Sequence, residues 1–200
     1  MTPTLFKTSP ALLSSLKARY AEPHRKYHTW SHIEQLLQTY AETASLICKK
    51  DEVQYAIYYH DAIYAVPSVT NEDESAALFE QDAQSALARD TIDLVKKFIL
   101  ATKNHTIGPD FSDDEKSDCE LFLDMDMSIL GAAQEDYRAY SRAIREEYSI
   151  IPDEIYRAGR AKVLSHFISR ERLFLSPPFH DNLDSQARDN IRNELRELQA

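Results

Sequence analysis

A histidine and an aspartate stand side by side within the otherwise apolar stretch 55-YAIYYHDAIYAV-66. The spacing of Val53, Ile57 and His60 predicts one buried face of a helix, and Asp61 lies beside that face. A buried, ionised carboxylate is costly without a partner, so Asp61 needs a cation, a dense hydrogen-bond network or a proton. A divalent metal ion is the simplest partner, and an Asp–His pair that satisfies itself in the core is the alternative.

The stretch 27-YHTWSHIEQLL-37 supplies two further imidazoles, His28 and His32. In one continuous helix they would share a face and could bind one metal ion. N-cap signals at Thr29, or at Ser31 with a glutamate three residues later, indicate instead that the helix begins after His28. His32 is therefore the stronger ligand candidate, and an exposed polar residue in a first helical turn is the alternative.

A second inward carboxylate is predicted in 119-CELFLDMDMSILG-131. At about 100° per residue, Asp126 falls in the arc of the apolar side chains, and Asp124 falls outside it. Only one of the two can face a shared site, because helical residues two apart point to nearly opposite sides. This argument predicts that Asp126 is buried and that Asp124 is solvated or an outer hydrogen-bond acceptor, and a small change of register would exchange them.

His105 ends the predicted helix 91-TIDLVKKFILATKNH-105 and lies on its apolar face if the helix extends that far. A histidine that caps the helix C-terminus is the alternative. Nitrogen and oxygen donors without sulfur suit a divalent ion such as Mn, Fe, Co, Ni, Zn or Mg. Cys48 and Cys119 are isolated, so neither a disulfide framework nor a thiolate metal site is expected.

The elements that must position these side chains are predicted to be helices, because glycine is scarce and apolar residues recur with a period near 3.6. A chain of 200 residues with 43% hydrophobic content can bury one core, so we expect a single all-α domain over residues 1–200, with its core at about 20–174. The tail helix is expected to pack on that core or on a second copy in a homodimer. The helices are expected at about residues 10–20, 29–45, 50–66, 73–87, 91–105, 119–131, 135–149, 153–169 and 184–199.

The charge and the hydropathy pattern exclude several classes of partner. A net charge of -10 disfavours binding to nucleic acid polymers, whose phosphate backbone attracts clustered lysine and arginine. No apolar tract is long enough to span a membrane and no signal peptide is recognisable, so we expect no membrane partner and a cytoplasmic protein.

The order of a histidine, a later His-Asp pair and a distant aspartate resembles the HD-domain superfamily of metal-dependent phosphohydrolases. The closer similarity is to a bacterial branch of predicted HD hydrolases of about this length, and it extends from about residue 20 to residue 174. It rests on seven segments in order: 24-HRKYHTWSHI-33, 55-YAIYYHDAIY-64, 71-NEDESA-76, 101-ATKNH-105, 121-LFLDMDMSILG-131, 145-REEY-148 and 159-GR-160.

The resemblance implies a helical bundle with a metal ion between its central helices and hydrolysis of a small phosphate ester, often a nucleotide. The ligands that it implies are His32, His60, Asp61 and Asp126, with His28, His105 and Asp124 as further candidates. Other superfamily members perform oxygenation, so the same site could also serve oxygenase or hydratase chemistry. A non-catalytic helical domain that binds a nucleotide or a protein is the third hypothesis.

The implied reaction also needs a proton carrier and positive charge near the phosphate. Asp61 could orient the attacking water, and Glu72 is the candidate for proton transfer, with a helix N-terminus of acidic residues as its alternative. Cations that could bind the phosphate are Arg25, Lys103 and Arg145, each of which could instead form a surface salt bridge. Arg145 is the preferred one, because Tyr148 stands near it and could hold the ligand or close the core.

Overall fold

The computed structural model describes residue 3, residues 5–6 and residues 9–199. The described residues contain no β-strand, which confirms the all-α prediction. None of the described helices combines the length and the apolar composition needed to span a bilayer. Between residues 9 and 199 there are nine α-helices and a 3-10 turn, Ser128–Gly131: α1 Pro10–Tyr20, α2 Trp30–Thr43, α3 Lys50–Tyr59, α4 Asn71–Ala83, α5 Arg89–Ala101, α6 Asp113–Met127, α7 Gln134–Glu147, α8 Asp153–Ile168 and α9 Pro177–Gln199.

The chain divides into two compact units, Met1–Met125 and Asp126–Ala200. The first unit contains α1 to α5 and α6 up to its residue 125, and the second contains the 3-10 turn and α7 to α9. The single-domain organisation and the HD-type arrangement of the bundle stay predictions.

α3 is the central helix of the first unit, and it packs against α2, α4 and α5. Every residue from Val53 to Tyr59 is buried, so this helix has no solvent face along most of its length. The Tyr59 and Phe79 rings meet edge to face with centroids 5.0 Å apart, a favourable aromatic geometry. Because α3 is buried all round, its C-terminal end has a defined position, and His60 stands at that end.

α3 ends at Tyr59, whereas the sequence predicted a helix continuing to residue 66. His60 is the C-cap residue, with its amide still bonded to the helix, and Asp61 lies in the turn that follows. Beyond this end, the Asp61 carbonyl accepts a hydrogen bond from Arg25 Nη1 at 2.7 Å, a side-chain partner in place of a helical amide. The prediction of the helix was right, and its end was placed too late.

In the second unit, α9 packs against α8 and against the 3-10 turn. Gly131 permits the close approach of α9, since a Cβ at this position would lie 2.6 Å from Leu183 Cβ. Asn190 Nδ2 donates to the carbonyls of Leu130 and Ala132, both at 2.9 Å, and so satisfies the end of the turn. α9 begins earlier than the tail helix predicted at residues 184–199.

A buried charged network also stabilises the second unit. Arg160 donates to both carboxylate oxygens of Glu194, at 2.8 and 3.2 Å, and the Tyr137 hydroxyl donates to the same carboxylate at 2.5 Å. Burial alone would raise the pKa of the Glu194 carboxyl, but the hydrogen bonds and the charge of Arg160 outweigh burial and hold that pKa below its usual value. Glu194 is therefore ionised in the folded protein at neutral pH.

Candidate metal centre

Three side chains that the sequence nominated as metal ligands meet in the first unit. His32, His60 and Asp61 each offer a ligand atom, and these atoms all lie within 4.8 Å of one another. His32 comes from the first turn of α2, where Thr29 is the N-cap residue, and the other two stand at the end of α3. The helix thus begins after His28, as the capping signals predicted.

The distances within this group match the spacing of donors around one metal ion. His60 Nε2 lies 3.1 Å from Asp61 Oδ2, and His32 Nε2 lies 3.3 Å from His60 Nε2 and 3.9 Å from the same carboxylate oxygen. Neighbouring ligand atoms of a tetrahedral ion with bonds of about 2.1 Å are about 3.4 Å apart. The three side chains could bind one ion with small rotations only.

The hydrogen bond on the far side of the His60 ring decides which nitrogen could bind a metal ion. Its Nδ1 lies 3.0 Å from the Ile57 carbonyl oxygen. A carbonyl can only accept, so Nδ1 carries a proton, and a neutral ring would present the Nε2 lone pair to the group. Metal-binding histidines commonly use their second nitrogen in this way, to fix ring orientation and tautomer.

The arrangement of the three side chains favours a positive charge between them. His60 Nε2 and Asp61 Oδ2 are both acceptors when the ring is neutral, and two acceptors 3.1 Å apart repel each other unless a proton or a cation lies between them. The two histidine side chains are 1% exposed and that of Asp61 is 15% exposed, so solvent screens the charge poorly. A divalent cation fits both the donor types and their spacing.

His28 lies next to the group without belonging to it. Its Nε2 is 3.9 Å from Asp61 Oδ2, and its ring packs on the Tyr64 ring with centroids 4.3 Å apart. Its side chain is 19% exposed, so it stands on the same open side as the carboxylate. This geometry agrees with the sequence ranking of His32 above His28.

The burial predicted for the two aspartates of α6 is wrong. Asp124 is 1% exposed, whereas Asp126 is partly exposed. The helical-face argument counted apolar residues up to residue 130 as α-helical, but α6 ends at Met127 and the 3-10 turn that follows rotates faster per residue. Asp126 belongs to the second unit, and its role as a ligand stays a prediction.

His105 does not extend the apolar face of α5. The helix ends at Ala101, and His105 follows in a turn with a positive φ of 47°. Among the residues that the structure describes, neither His105 nor Asp124 forms part of the three-residue group. The expectation that helical periodicity continues to residue 105 is therefore wrong.

The segment after Asp61 is held against the first two turns of α4. The Ile63 amide donates to Ser75 Oγ and the Ala65 amide donates to Asn71 Oδ1, both at 3.0 Å. These hydrogen bonds keep the start of α4 beside the segment that follows Asp61. The sequence showed Asn71 only as part of a polar connection, yet asparagine at a helix start is a common signal for such contacts.

Glu72, the candidate proton carrier, lies in this first turn of α4 and is partly exposed. The sequence placed it in a loop before the helix, so its position is corrected by the earlier start of α4. Lys103 Nζ lies 2.6 Å from Asp73 Oδ2, and that hydrogen bond raises the pKa of Lys103. The Lys103 ammonium group is therefore charged and already paired.

Arg25, nominated as a phosphate ligand, does not reach the solvent. Its side chain is fully buried, and its donors bind the Glu22 carboxylate and the carbonyls of His28, Asp61 and Ala62. A guanidinium group without solvent-facing surface cannot receive a phosphate from solution. The sequence could not show its contacts to Asp61 and Ala62, because these residues are distant from Arg25 along the chain.

Arg145 and Tyr148 lie in the second unit, at the end of α7. Arg145 donates to the carbonyls of Tyr148 and Ile151 at 2.8 and 3.4 Å and to Asp153 Oδ1 at 3.2 Å, and its guanidinium lies over the Tyr156 ring. These contacts connect the end of α7 to the start of α8. Catalytic and substrate-binding roles for the two residues stay predictions.

Comparison of the chain with protein-family models, with curated proteins and with solved structures finds no match. The resemblance to the HD-domain superfamily therefore rests on the sequence segments alone.

Proposed function

We propose that the first unit is a metal-dependent phosphohydrolase site in which His32, His60 and Asp61 bind a divalent ion. The observation that carries the proposal is the convergence of their three ligand atoms, all within 4.8 Å of one another, around a buried point. The phosphate ester as substrate comes from the resemblance to HD hydrolases, which also favours a nucleotide-like molecule.

The burial of the ligands indicates where substrate and water would enter. Both histidine side chains are almost completely buried, and the Asp61 side chain, at 15% exposed, is the most accessible of the three. Reactants would therefore approach from the Asp61 side, where the His28 ring also reaches solvent. A divalent ion held there would lower the pKa of a water molecule and polarise a phosphoryl oxygen.

The chain's own groups would orient the reactants and move the proton. His60 is kept in one tautomer by the Ile57 carbonyl, so its lone pair stays directed at the group. Asp61 has a second carboxylate oxygen that could accept a hydrogen bond from the attacking water. Glu72 stands at the start of α4, which the Ala65–Asn71 hydrogen bonds join to the turn after Asp61, and it is our candidate for the proton transfer.

The test is metal content and turnover measured on the same samples. Wild-type protein is loaded with Mn²⁺, Zn²⁺, Ni²⁺ or Fe²⁺, freed of excess ion, and assayed by elemental analysis and with p-nitrophenyl phosphate and nucleoside mono- and diphosphates. We expect about one ion per chain and hydrolysis that depends on it, with both lost in His32→Ala and in Asp61→Asn. His166→Ala, at an exposed histidine of α8, is the matched control and should keep both.

Two results would contradict the proposal in different ways. If the wild type binds no ion under any of these conditions, then His60 and Asp61 are a core pair and the hydrolase assignment fails with the metal site. If the ion binds with full occupancy and no phosphate ester is hydrolysed, the metal site stands and the reaction class is wrong.

A further inference from the structure

Arg25 lies between α1 and α2 with its side chain fully buried, a rare environment for a permanent charge. Its Nε donates to Glu22 Oε2 at 3.1 Å, which gives the charge a partner. The rings of Tyr20 and Tyr64 have their centroids 5.0 and 5.4 Å from the guanidinium carbon, within the range of cation–π attraction. Together these contacts fix the position of the planar Arg25 guanidinium group.

The same guanidinium connects the two chain segments that carry the proposed metal ligands. Its Nη1 donates to the His28 carbonyl at 3.2 Å and to the Asp61 carbonyl at 2.7 Å, and its Nη2 donates to the Ala62 carbonyl at 3.1 Å. His28 directly precedes the capped start of α2, which carries His32. One side chain therefore bridges the start of α2 and the turn after α3.

We propose that Arg25 is a positioning residue for metal binding, which holds these two segments at the separation that one ion requires. It does so through the backbone of the ligand segments, without contact to the ion. This inference rests on the proposed metal site. Lysine cannot replace it, because a single ammonium group lacks the rigid, planar set of donors that reaches carbonyls on two segments at once.

The second unit contains an arginine with nearly the same bonding, which provides a matched control. Arg188 donates to the Asp184 carboxylate and to the carbonyls of Ile168, Arg170 and Glu171. Like Arg25, it thus binds one carboxylate and three backbone carbonyls. Its partners carry none of the three metal ligands, so its loss should destabilise the fold without changing metal affinity.

The experiment compares Arg25→Lys with Arg188→Lys in the full chain, with Zn²⁺ and Mn²⁺ affinities measured by competition with a chromogenic chelator. Loss of an outer partner of a metal site typically costs about 10–100-fold in metal affinity. We expect that loss in Arg25→Lys and a change of less than about twofold in Arg188→Lys, while thermal unfolding shows that both variants are less stable than wild type.

Equal metal affinity in Arg25→Lys and wild type would overturn the positioning role and leave the metal site intact. A wild type that binds neither ion would instead overturn the metal site itself, and the inference with it. Should Arg25→Lys fail to fold, Glu22→Gln provides the milder test, since Glu22 is 39% exposed and its carboxylate is the charged partner of the arginine. It should weaken metal binding several-fold, and unchanged affinity there would contradict the inference.

Discussion

Asp61→Asn should make the protein more stable without metal and less stable than wild type when metal is present. In the metal-free protein, the carboxylate oxygen lies 3.1 Å from His60 Nε2, whose ring proton is on the other nitrogen and is donated to Ile57. Both facing atoms are then acceptors. An asparagine amide has the same shape, can donate an N–H to Nε2 and removes a largely buried charge.

The expected magnitude follows from these contacts. In the metal-free protein, a buried hydrogen bond in place of two facing acceptors should raise the free energy of unfolding of Asp61→Asn by about 1 kcal/mol. For a chain of this size, that corresponds to a melting temperature about 2–4 °C higher. A metal ion at a concentration 100 times its dissociation constant stabilises the wild type by about 2.7 kcal/mol. Asp61→Asn does not gain stability from the metal ion. In excess metal it should therefore be less stable than the wild type by about 1.7 kcal/mol, which is about 2.7 kcal/mol from metal binding less about 1 kcal/mol from the new hydrogen bond.

The assay is thermal unfolding followed by circular dichroism, in excess EDTA and in excess Zn²⁺ or Mn²⁺. Asp110→Asn, at an exposed aspartate in the loop before α6, is the matched control and should change neither melting temperature. If Asp61→Asn is instead less stable than wild type in EDTA by about 3–5 kcal/mol, Asp61 and a protonated histidine form a self-sufficient buried ion pair. That result would refute the metal argument.

Four further predictions concern other parts of the chain. Glu194→Ala should lower the free energy of unfolding in urea by about 3–5 kcal/mol, because it leaves the buried Arg160 without its carboxylate. The pKa of Glu194 is lowered in the folded protein, so its stabilising contribution is complete above the ordinary glutamate pKa and is lost as the pH falls through the lowered value. The free energy of unfolding of the wild type should therefore decline below about pH 4. That of Glu194→Gln should decline less over the same range. In Ellman assays of the folded protein, exposed Cys48 should react quickly and Cys119 should not, since burial raises the pKa of Cys119 to about 12. Gly131→Ala should cost about 1–3 kcal/mol in the free energy of unfolding, because its Cβ would overlap with α9.

The ligand group shows how far local patterns reach. The periodicity of α3 placed His60 among buried residues, and the capping signals placed the start of α2 after His28. Both are properties of one turn or one helix face, so neighbouring residues are enough to predict them. Nothing local indicated that α2 and α3 bring His32 and His60 to within 3.3 Å of each other, and that prediction came from the resemblance.

The errors lie at the ends of the helices. The C-terminal ends of α3, α5 and α6 were predicted too late because each helix was extended along its apolar periodicity. α3 instead ends beside the Asp61 carbonyl that binds Arg25, and α6 ends where the helix changes to a 3-10 turn. The exchange of Asp124 for Asp126 as the buried carboxylate follows from this, because the angular argument used residues beyond the end of α6. The misplacement of Glu72 before its helix is the opposite error, because α4 begins earlier than predicted.

The amino-acid sequence by itself determined the helical class, the positions of most helices and the candidate ligands, because helix periodicity, capping and burial of apolar residues act over a few residues. Only the tertiary structure decided the environment of each polar side chain. It showed that Arg25, a candidate phosphate ligand from the sequence, is a buried residue that donates to the carbonyls of His28 and of Asp61, which lies 36 residues from Arg25 along the chain. Such contacts depend on long-range packing, which brings a donor and an acceptor together whatever their separation in sequence.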